Sequence, residues 1–491
     1  MLGLVLCVIC LVFVWLVYAR ARDSPAHALP PAFPGALPLI GHSLMPLTDP
    51  STLWDRLKHA AEDCVKQGGV THAKVGREIY YLIVDPQDAL TAANSCMQKH
   101  FGFDFGKVWV GDGLLTSTGE IWKRHRKLLN PAFILPVIHG FLEVFNDQSK
   151  RLVSEVEPHV GKGLFDHFVH LKSIALETLC VGTFGINAID DKTFTKKYMK
   201  AVDVILKLLT SRVTKFWLQS DLIYKLSGLK EKETELADTL NAMADKVMQQ
   251  KKAAMKDKAS NNSIEYETTG IKYRPFLDLL LELSANGALT DKEIREEMHT
   301  IIAAGFETTS NQLTFILLQL GANPEIQEKV YEELLEVLGP ERDVEKDDVN
   351  KLIYTNAVIM ESLRVFPSVP ALLRYVDKDV RLKNYTMPAG SECLIFPLAT
   401  HLDPAWGAES DQFKPERWLN NDVRNSKEFA AFGLGKRACI GRTYAMISMK
   451  VTLAHFLRRY RVKADMNKLH LKYDFVLKPD SGHEISIESR T

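Results

Sequence analysis

A cysteine framed by glycines is the strongest chemical signal in the sequence. Gly433, Gly435 and Gly441 surround Cys439 within AAFGLGKRACIGRTYAMISMK (430–450), and a helical pattern begins just after the cysteine. Glycines let the backbone approach a bulky group, and the amino end of a helix favours a thiolate over a thiol. A thiolate in this setting is a ready metal ligand.

The residues nearby narrow the choice of metal. Zn²⁺ needs three or four clustered ligands, and the segment contains no CxxC or HxxxH pattern. Haem iron needs one protein ligand, and thiolate ligation favours oxygen activation. Arg437, two residues before Cys439, could pair with a haem propionate. An inert buried cysteine and a thiol hydrolase with a histidine partner elsewhere in the chain stay open.

A second chemical segment, IIAAGFETTSN (301–311), lies inside a long helical pattern. Its small residues Ala304 and Gly305 would let a flat ligand approach the backbone. Thr308 can bond to the carbonyl four residues back and open the helix locally, and beside it Glu307 offers an acid. An acid next to a hydroxyl at a helix defect suits a proton shuttle. The alternative is a glycine packing contact with solvated polar neighbours.

The chain resembles the cytochrome P-450 family. Positions 432–441 match the spacing FxxGxRxCxG of that family's haem-binding signature, and AGFETT (304–309) is similar to its oxygen-activation motif. The resemblance implies roles for further residues: Glu361, Arg364 and Arg417 as an ion-pair lock behind the haem; Trp122, Arg126, Arg374 and Arg437 at the propionates; and Phe432, Gly433, Gly441 and Ala304 against the haem. For ESLR, which contains the first two, a local surface pair is the alternative.

The finer resemblance is to the microsomal clan that includes the fatty-acid omega-hydroxylases, carried by 111–133 and 357–367. Many omega-hydroxylases attach their haem covalently through a glutamate where this chain has Ala304, so a covalent haem is not expected. The substrate could be a fatty acid, hormone, odorant or xenobiotic. We expect Ala304, Val369 and Val108, the last in the loop that starts at Phe103, to line its pocket.

The resemblance implies a monooxygenase that holds haem b on Cys439 and uses dioxygen, with Glu307 and Thr308 relaying protons. Electrons would come from NADPH through a flavin-containing reductase, or from a cytochrome b-type donor. Alternatives are a haem-thiolate isomerase or peroxygenase, and a non-catalytic haem-binding protein. Basic residues that could dock an acidic redox partner are Lys123, Arg124, Lys127, Lys436 and Arg442.

The amino terminus reads as a membrane anchor. Residues 2–19 carry no charge and just reach the length that crosses a bilayer, while Arg20 and Arg22 follow them. We therefore divide the chain into a single-pass anchor (1–22), a proline-rich hinge (23–42) and a catalytic domain (43–491). This arrangement predicts an endoplasmic reticulum protein with its body on the cytosolic face; a signal peptide or a buried helix is the alternative.

The body reads as one large, mainly α-helical domain with a minor β-sheet region, an α+β fold. We predict strands at 80–84 and 393–398, helices at 172–185, 197–258, 290–323 and from Pro324, and a loop at 256–270. Basic and acidic residues number 61 each, so zero net charge disfavours a nucleic-acid partner. Seven scattered cysteines make a poor disulfide framework and favour a reducing compartment.

Overall fold

The computed structural model of the chain describes residues 12, 28–38, 40–185, 192–260, 267–268, 271–272, 275–402, 406, 409–420 and 429–490. Helices dominate these residues, as predicted. They are α1 (Pro50–Lys66), α2 (Pro86–Ser95), α3 (Lys107–Val110), α4 (Gly119–Leu129), α5 (Leu135–His139), α6 (Leu142–Val156), α7 (Phe168–Phe184), α8 (Lys192–Thr214), α9 (Asp221–Leu226), α10 (Leu229–Ser260), α11 (Phe276–Ala285), α12 (Asp291–Ala322), α13 (Pro324–Leu338), α14 (Ile353–Val365), α15 (Pro397–Leu402) and α16 (Arg442–Arg459).

The strands are short. They are β1 (Val70–Val75), β2 (Glu78–Ile83), β3 (Gln98–Lys99), β4 (Glu267–Thr268), β5 (Ile271–Lys272), β6 (Leu372–Tyr375), β7 (Val380–Arg381), β8 (Thr386–Met387), β9 (Glu392–Ile395), β10 (Tyr460–Lys463), β11 (His470–Asp474), β12 (Val476–Ser481) and β13 (Ser486–Ser489). The main sheet has the order β1-β2-β9-β6-β3, in which only β2 and β9 run parallel. Two of its strands confirm the predictions near 80–84 and 393–398.

The central helix α12 confirms the predicted start and stop signals. Thr290 accepts a hydrogen bond from the Glu293 amide at 3.2 Å, and the Glu293 carboxylate accepts one from the Thr290 amide at 2.8 Å. These reciprocal bonds satisfy backbone donors that the first turn of a helix leaves free. The helix spans 32 residues and runs without interruption through Thr308. The expected local opening of the helix there is therefore wrong.

The other predicted helices differ at their boundaries. The segment expected to be helical over 197–258 divides into α8, α9 and α10, with a short 3-10 turn at Phe216–Gln219. The strand expected over 393–398 ends at Ile395, because Pro397 starts α15 and proline suits the first turn of a helix. Helix α10 continues to Ser260, into the loop predicted at 256–270, most of whose remainder lies outside the described residues.

Apart from Val12, the predicted anchor (1–22) lies outside the described residues. Among the residues that are described, none of the helices combines the length and apolarity needed to cross a membrane. The described part of the proline-rich segment lies along β1: the Phe33 amide bonds to the His72 carbonyl at 2.8 Å, and the His72 amide bonds to the Pro31 carbonyl at 2.9 Å. This segment is thus joined to the edge of the main sheet.

Candidate active site

The loop before α16 presents Cys439. Gly433 and Gly435 have φ angles of 75° and 64°, which side chains other than glycine rarely adopt. A Cβ atom at Gly435 would also lie 2.6 Å from the Asn94 side-chain oxygen. The Cys439 amide donates to the Phe432 carbonyl at 2.8 Å, which closes the loop. Gly433 and Gly435 therefore permit a tight turn, and Gly435 also permits close packing against α2.

The Cys439 thiol faces an internal space. The Cys439 side chain has exposed surface, yet protein atoms surround it at a greater distance. The surface that it exposes therefore lies inside the protein. Burial raises the pKa of the thiol, while the Gly441 amide and the charges of Arg126 and Arg442 act in the opposite direction. The helix end thus acts as predicted but does not outweigh burial. The charged groups with the largest effect on the thiol are these two arginines.

A cluster of cations, in which Arg374 is buried and Arg126 and Arg437 are half-buried, lies close to the cysteine loop. Arg126 donates to the Ala438 carbonyl at 2.8 Å, and Arg437 donates to the Ser117 carbonyl at 2.7 Å. The Arg437 guanidinium also lies 4.6 Å from the centre of the Trp122 ring. Burial and the charges of Arg374 and Arg126 lower the pKa of Arg437 to about 9. Positive charges that act on one another in this way would be stabilised by an anion.

Sequence reasoning missed a further member of this cluster. Lys99 lies opposite Arg374 in the pairing of β3 with β6. Burial, followed by the charges of Arg374 and Arg437, lowers the pKa of Lys99 well below its usual value. The Nε atoms of Arg374 and Arg437 are buried without a hydrogen-bond partner. In the described part of the chain, no carboxylate forms an ion pair with these cations.

The predicted ion-pair lock is assembled and buried. Glu361 and Arg364 have no exposed surface and form two hydrogen bonds, at 2.9 and 2.8 Å. Arg417 lies 3.4 Å from Glu361, and Trp418 donates to the same carboxylate at 2.8 Å. Arg364 also donates to the His401 carbonyl at 2.7 Å. A local surface pair is therefore excluded, and the lock joins α14 to the segment that precedes the cysteine loop.

The middle of α12 has two different faces. Ala304 is exposed although most of the helix is buried, so it faces an internal space. Gly305 was expected to let a flat ligand approach the backbone, but it faces α7 instead. A Cβ atom there would lie 2.7 Å from Leu179 Cδ1, so the glycine allows the two helices to pack closely. The Thr308 hydroxyl donates to the Ala304 carbonyl at 2.7 Å, so it remains on the Ala304 side.

Glu307 is held by two lysines. Its carboxylate lies 3.1 Å from Lys172 of α7 and 3.7 Å from Lys478 of β12, and it is nearly fully buried. Burial alone would lower the pKa of Lys172, but Glu307 and Asp203 outweigh it and the pKa is raised. Asp203 is partly exposed and pairs with Lys172. These ionic groups connect the interior at Glu307 with the protein surface at α8.

The two other residues predicted to line the substrate pocket are partly buried. Val369 follows Ser368, whose hydroxyl donates to the Thr308 carbonyl at 3.2 Å, so it lies near the exposed part of α12. The predicted loop from Phe103 to Val108 is wrong, because a 3-10 helix (Phe101–Gly106) leads directly into α3, which contains Val108. The turn after α3 touches α12, since a Cβ atom at Gly113 would collide with Thr300. Both residues are thus on segments that adjoin α12.

The sequence model of the family described as Cytochrome P450 matches residues 31–486. The chain belongs to the cytochrome P450 family. Among its relatives, Cytochrome P450 4V2 of Mus musculus is 32% identical, with 94% of this chain and 90% of the relative covered. Cytochrome P450 4c3 of Drosophila melanogaster is 31% identical, over 93% of this chain and 89% of the relative. Cytochrome P450 4c21 of Blattella germanica is also 31% identical, over 98% and 97%.

These relatives all carry the number 4, which agrees with the predicted clan that includes the fatty-acid omega-hydroxylases. Membership of the cytochrome P450 family implies a haem-iron cofactor and a monooxygenase of the oxidoreductase class. The site fits haem: Arg374, Arg437, Arg126 and Lys99 offer positive charge to its two carboxylates, and the first two also offer unused donors. Cys439 presents an exposed sulfur as the ligand.

Proposed function

We propose that this cytochrome P450 is a membrane-bound monooxygenase that inserts one oxygen atom of dioxygen into a lipophilic substrate. The observation that carries the proposal is the exposed thiol of Cys439 beside a cluster of cations with unused donors. The exposed Ala304 and the Thr308 hydroxyl bonded to its carbonyl, in the middle of α12, support it. The substrate could be a fatty acid, a hormone, an odorant or a xenobiotic. Its electrons would come from NADPH through a reductase.

Haem b would be held by Cys439 as the iron ligand, with Arg126, Arg374, Arg437 and Lys99 at its carboxylates. When bound, haem with a thiolate ligand supplies the activation of dioxygen. Ala304 carries no carboxylate that could form an ester, so we propose that the haem is not covalently attached.

We propose that protons reach the site through α12. Asp203 is partly exposed and pairs with Lys172, which in turn pairs with buried Glu307. Thr308 follows Glu307 in sequence, and its Oγ1 can pass a proton while remaining hydrogen-bonded to the Ala304 carbonyl. Glu307 would exchange a proton with the surface through its ion pairs, and Thr308 would hold a proton at the substrate side.

An acidic redox partner would dock on the basic surface near Cys439. Lys123, Lys127, Lys436 and Arg442 are exposed there. Arg124 and Lys123 contribute less than the others, because Arg124 bonds to Glu293 and to the Ala288 carbonyl, and Lys123 pairs with Glu120 at 2.6 Å. Long-range attraction between opposite charges would speed association with a reductase and weaken as salt is added.

Membrane association at the endoplasmic reticulum, with the body on the cytosolic face, completes the proposal. The uncharged stretch at 2–19 supports it. A group of exposed apolar side chains around the turn between α8 and α9 supports it further, since such patches mark contact surfaces. These side chains are Phe216, Trp217, Leu222, Ile223 and Leu226.

The test is expression of the full chain with membranes and reductase. Dithionite reduction followed by carbon monoxide should give the strongly red-shifted Soret band of a haem thiolate. NADPH should then be consumed with formation of an oxidised product from a panel of fatty acids and other lipophilic compounds. A haem protein that turns over with peroxide but not with NADPH would be a peroxygenase. Haem binding without turnover would indicate a carrier, and a colourless protein would refute the proposal.

A further inference from the structure

A histidine that the sequence analysis did not single out joins the ion-pair lock to the cysteine loop. His401 lies on α15 and has no exposed surface. Its Nδ1 atom is 3.2 Å from the Arg364 carbonyl, and the Ala430 amide donates to its Nε2 atom at 2.8 Å. Because an amide can only donate, Nε2 accepts, so Nδ1 carries the proton and donates to Arg364. Both ring nitrogens are therefore committed, in one tautomer.

The charge state of this ring is also fixed. Burial, with a smaller effect of the Arg364 charge, lowers the pKa of His401 to about 3. The ring is neutral at physiological pH, as the two hydrogen bonds require. Phe429 stacks on it at 5.1 Å between ring centres, with an interplanar angle of 17°. The imidazole thus has one position and one protonation state.

Through its two ring nitrogens, His401 links the ion-pair lock to the cysteine loop. At one end, Arg364 and His401 each bond to the backbone carbonyl of the other residue, and Arg364 is held by Glu361. At the other end, Ala430 is buried and its carbonyl accepts from the Gly433 amide at 2.8 Å. Gly433 makes the first left-handed turn of the loop that carries Cys439.

Phe429 and Ala430, where the described part of the loop begins, belong to no helix or strand, so no regular ladder of hydrogen bonds fixes their position. Without His401 the buried Ala430 amide would lose its acceptor, and buried amides without partners are rare because they are costly. The beginning of the loop would then shift until this amide found another acceptor. Cys439 follows nine residues later and depends on the same turn through its bond to Phe432.

We propose that His401 is a positioning residue for the cysteine ligand, which fixes the start of the Cys439 loop against the buried Glu361–Arg364 pair. The inference rests on the proposed haem-thiolate function. It assigns His401 no contact with substrate or haem. It predicts that the hydrogen bonds of the ring, rather than its volume, keep the sulfur in place as a ligand.

Two substitutions separate hydrogen bonding from packing. His401→Leu introduces an apolar side chain of similar length and removes both hydrogen bonds. His401→Gln keeps one donor and one acceptor on a more flexible chain. The matched controls are His455→Leu and His455→Gln, because His455 is also a buried histidine, with a pKa lowered by burial to about 4 and a 2.8 Å bond to Asn146. It lies on α16 about 20 Å from the start of that helix.

The measurement is the reduced carbon monoxide spectrum of the full-length haem-loaded protein in membranes, followed over time at fixed temperature and pH. We expect His401→Leu to convert from the thiolate-type band to the histidine-type band about tenfold faster than wild type or more, because a buried amide loses its partner. His401→Gln should lie between. Both His455 variants should convert near the wild-type rate.

Conversion of His401→Leu at the rate of His455→Leu would overturn the inference, since a merely structural loss affects both. If His401→Leu does not accumulate, the comparison of His401→Gln with His455→Gln decides in the same way. A wild-type protein that lacks the thiolate-type band would refute the proposed function, and the inference with it, before any variant is compared.

Discussion

Replacing Arg437 with methionine should have opposite effects on the haem-free and haem-loaded protein. Burial and the charges of Arg374 and Arg126 lower the pKa of Arg437 from 12.5 to about 9. Since a tenfold change in a protonation equilibrium corresponds to about 1.4 kcal/mol, keeping Arg437 charged costs the folded haem-free protein up to about 5 kcal/mol. Methionine removes this charge and fills similar space.

The substitution also loses favourable contacts. The hydrogen bond to the Ser117 carbonyl contributes about 1 kcal/mol, and stacking on Trp122 contributes about 1 kcal/mol. The expected net gain for the haem-free protein is about 3 kcal/mol. For a chain of 491 residues this corresponds to a rise of about 3 °C in Tm. The haem-loaded protein instead loses a charged donor to a haem carboxylate, worth about 1.5 to 3 kcal/mol, so haem should dissociate about 10 to 100 times more readily.

Thermal unfolding of both forms and haem transfer to an acceptor protein measure these effects. Arg381→Met is the matched control, because Arg381 is an exposed arginine on β7 that bonds to Thr386 at 3.3 Å and does not belong to the cation cluster. It should change haem dissociation little. A haem-free Arg437→Met protein that is less stable than wild type would refute the reasoning, because the buried charge would then not be destabilising.

Three further outcomes are expected. Thr308→Ala should keep haem but form less product per NADPH consumed and release more peroxide. Thr308→Ser should retain the coupling of NADPH consumption to product formation. Unchanged coupling in the alanine variant would remove Thr308 from the proton path. Acidified organic solvent should extract the haem from the denatured wild-type protein, since Ala304 offers no ester; haem that stays with the chain would contradict this. The third outcome concerns His125: burial lowers the pKa of its ring, but Glu297 and Glu293 outweigh burial and the pKa is raised. Its contribution to stability is therefore full below pH 6.5 and lost as pH rises through the folded pKa, and His125→Gln should flatten this part of the pH–stability profile.

Local signals in the sequence predicted the parts of the fold that depend on neighbouring residues. The capping box at Thr290 and the proline at 324 placed α12 and α13 correctly. The spacing of Glu361 and Arg364 placed both on one face of α14. Such features are fixed within one or two helical turns, so no knowledge of tertiary packing is needed.

Contacts between distant segments could not be predicted in this way. Lys99 joins the cation cluster only because a two-residue strand pairs with β6. Lys478 reaches Glu307 from a strand near the end of the chain, and His401 meets Ala430, which follows it by 29 positions. The role of Gly305 likewise depended on α7, since the sequence alone could not tell a packing glycine from one that faces a ligand.

The neighbouring positions 304 and 305 differ in how well they tolerate mutation during evolution. A larger side chain at Ala304 would extend into the internal space and alter which molecules fit there. One at Gly305 would press on Leu179 and separate α12 from α7, at a cost to the whole domain. New substrate preferences are therefore accessible by single mutations at one position, while the adjacent position is constrained by folding.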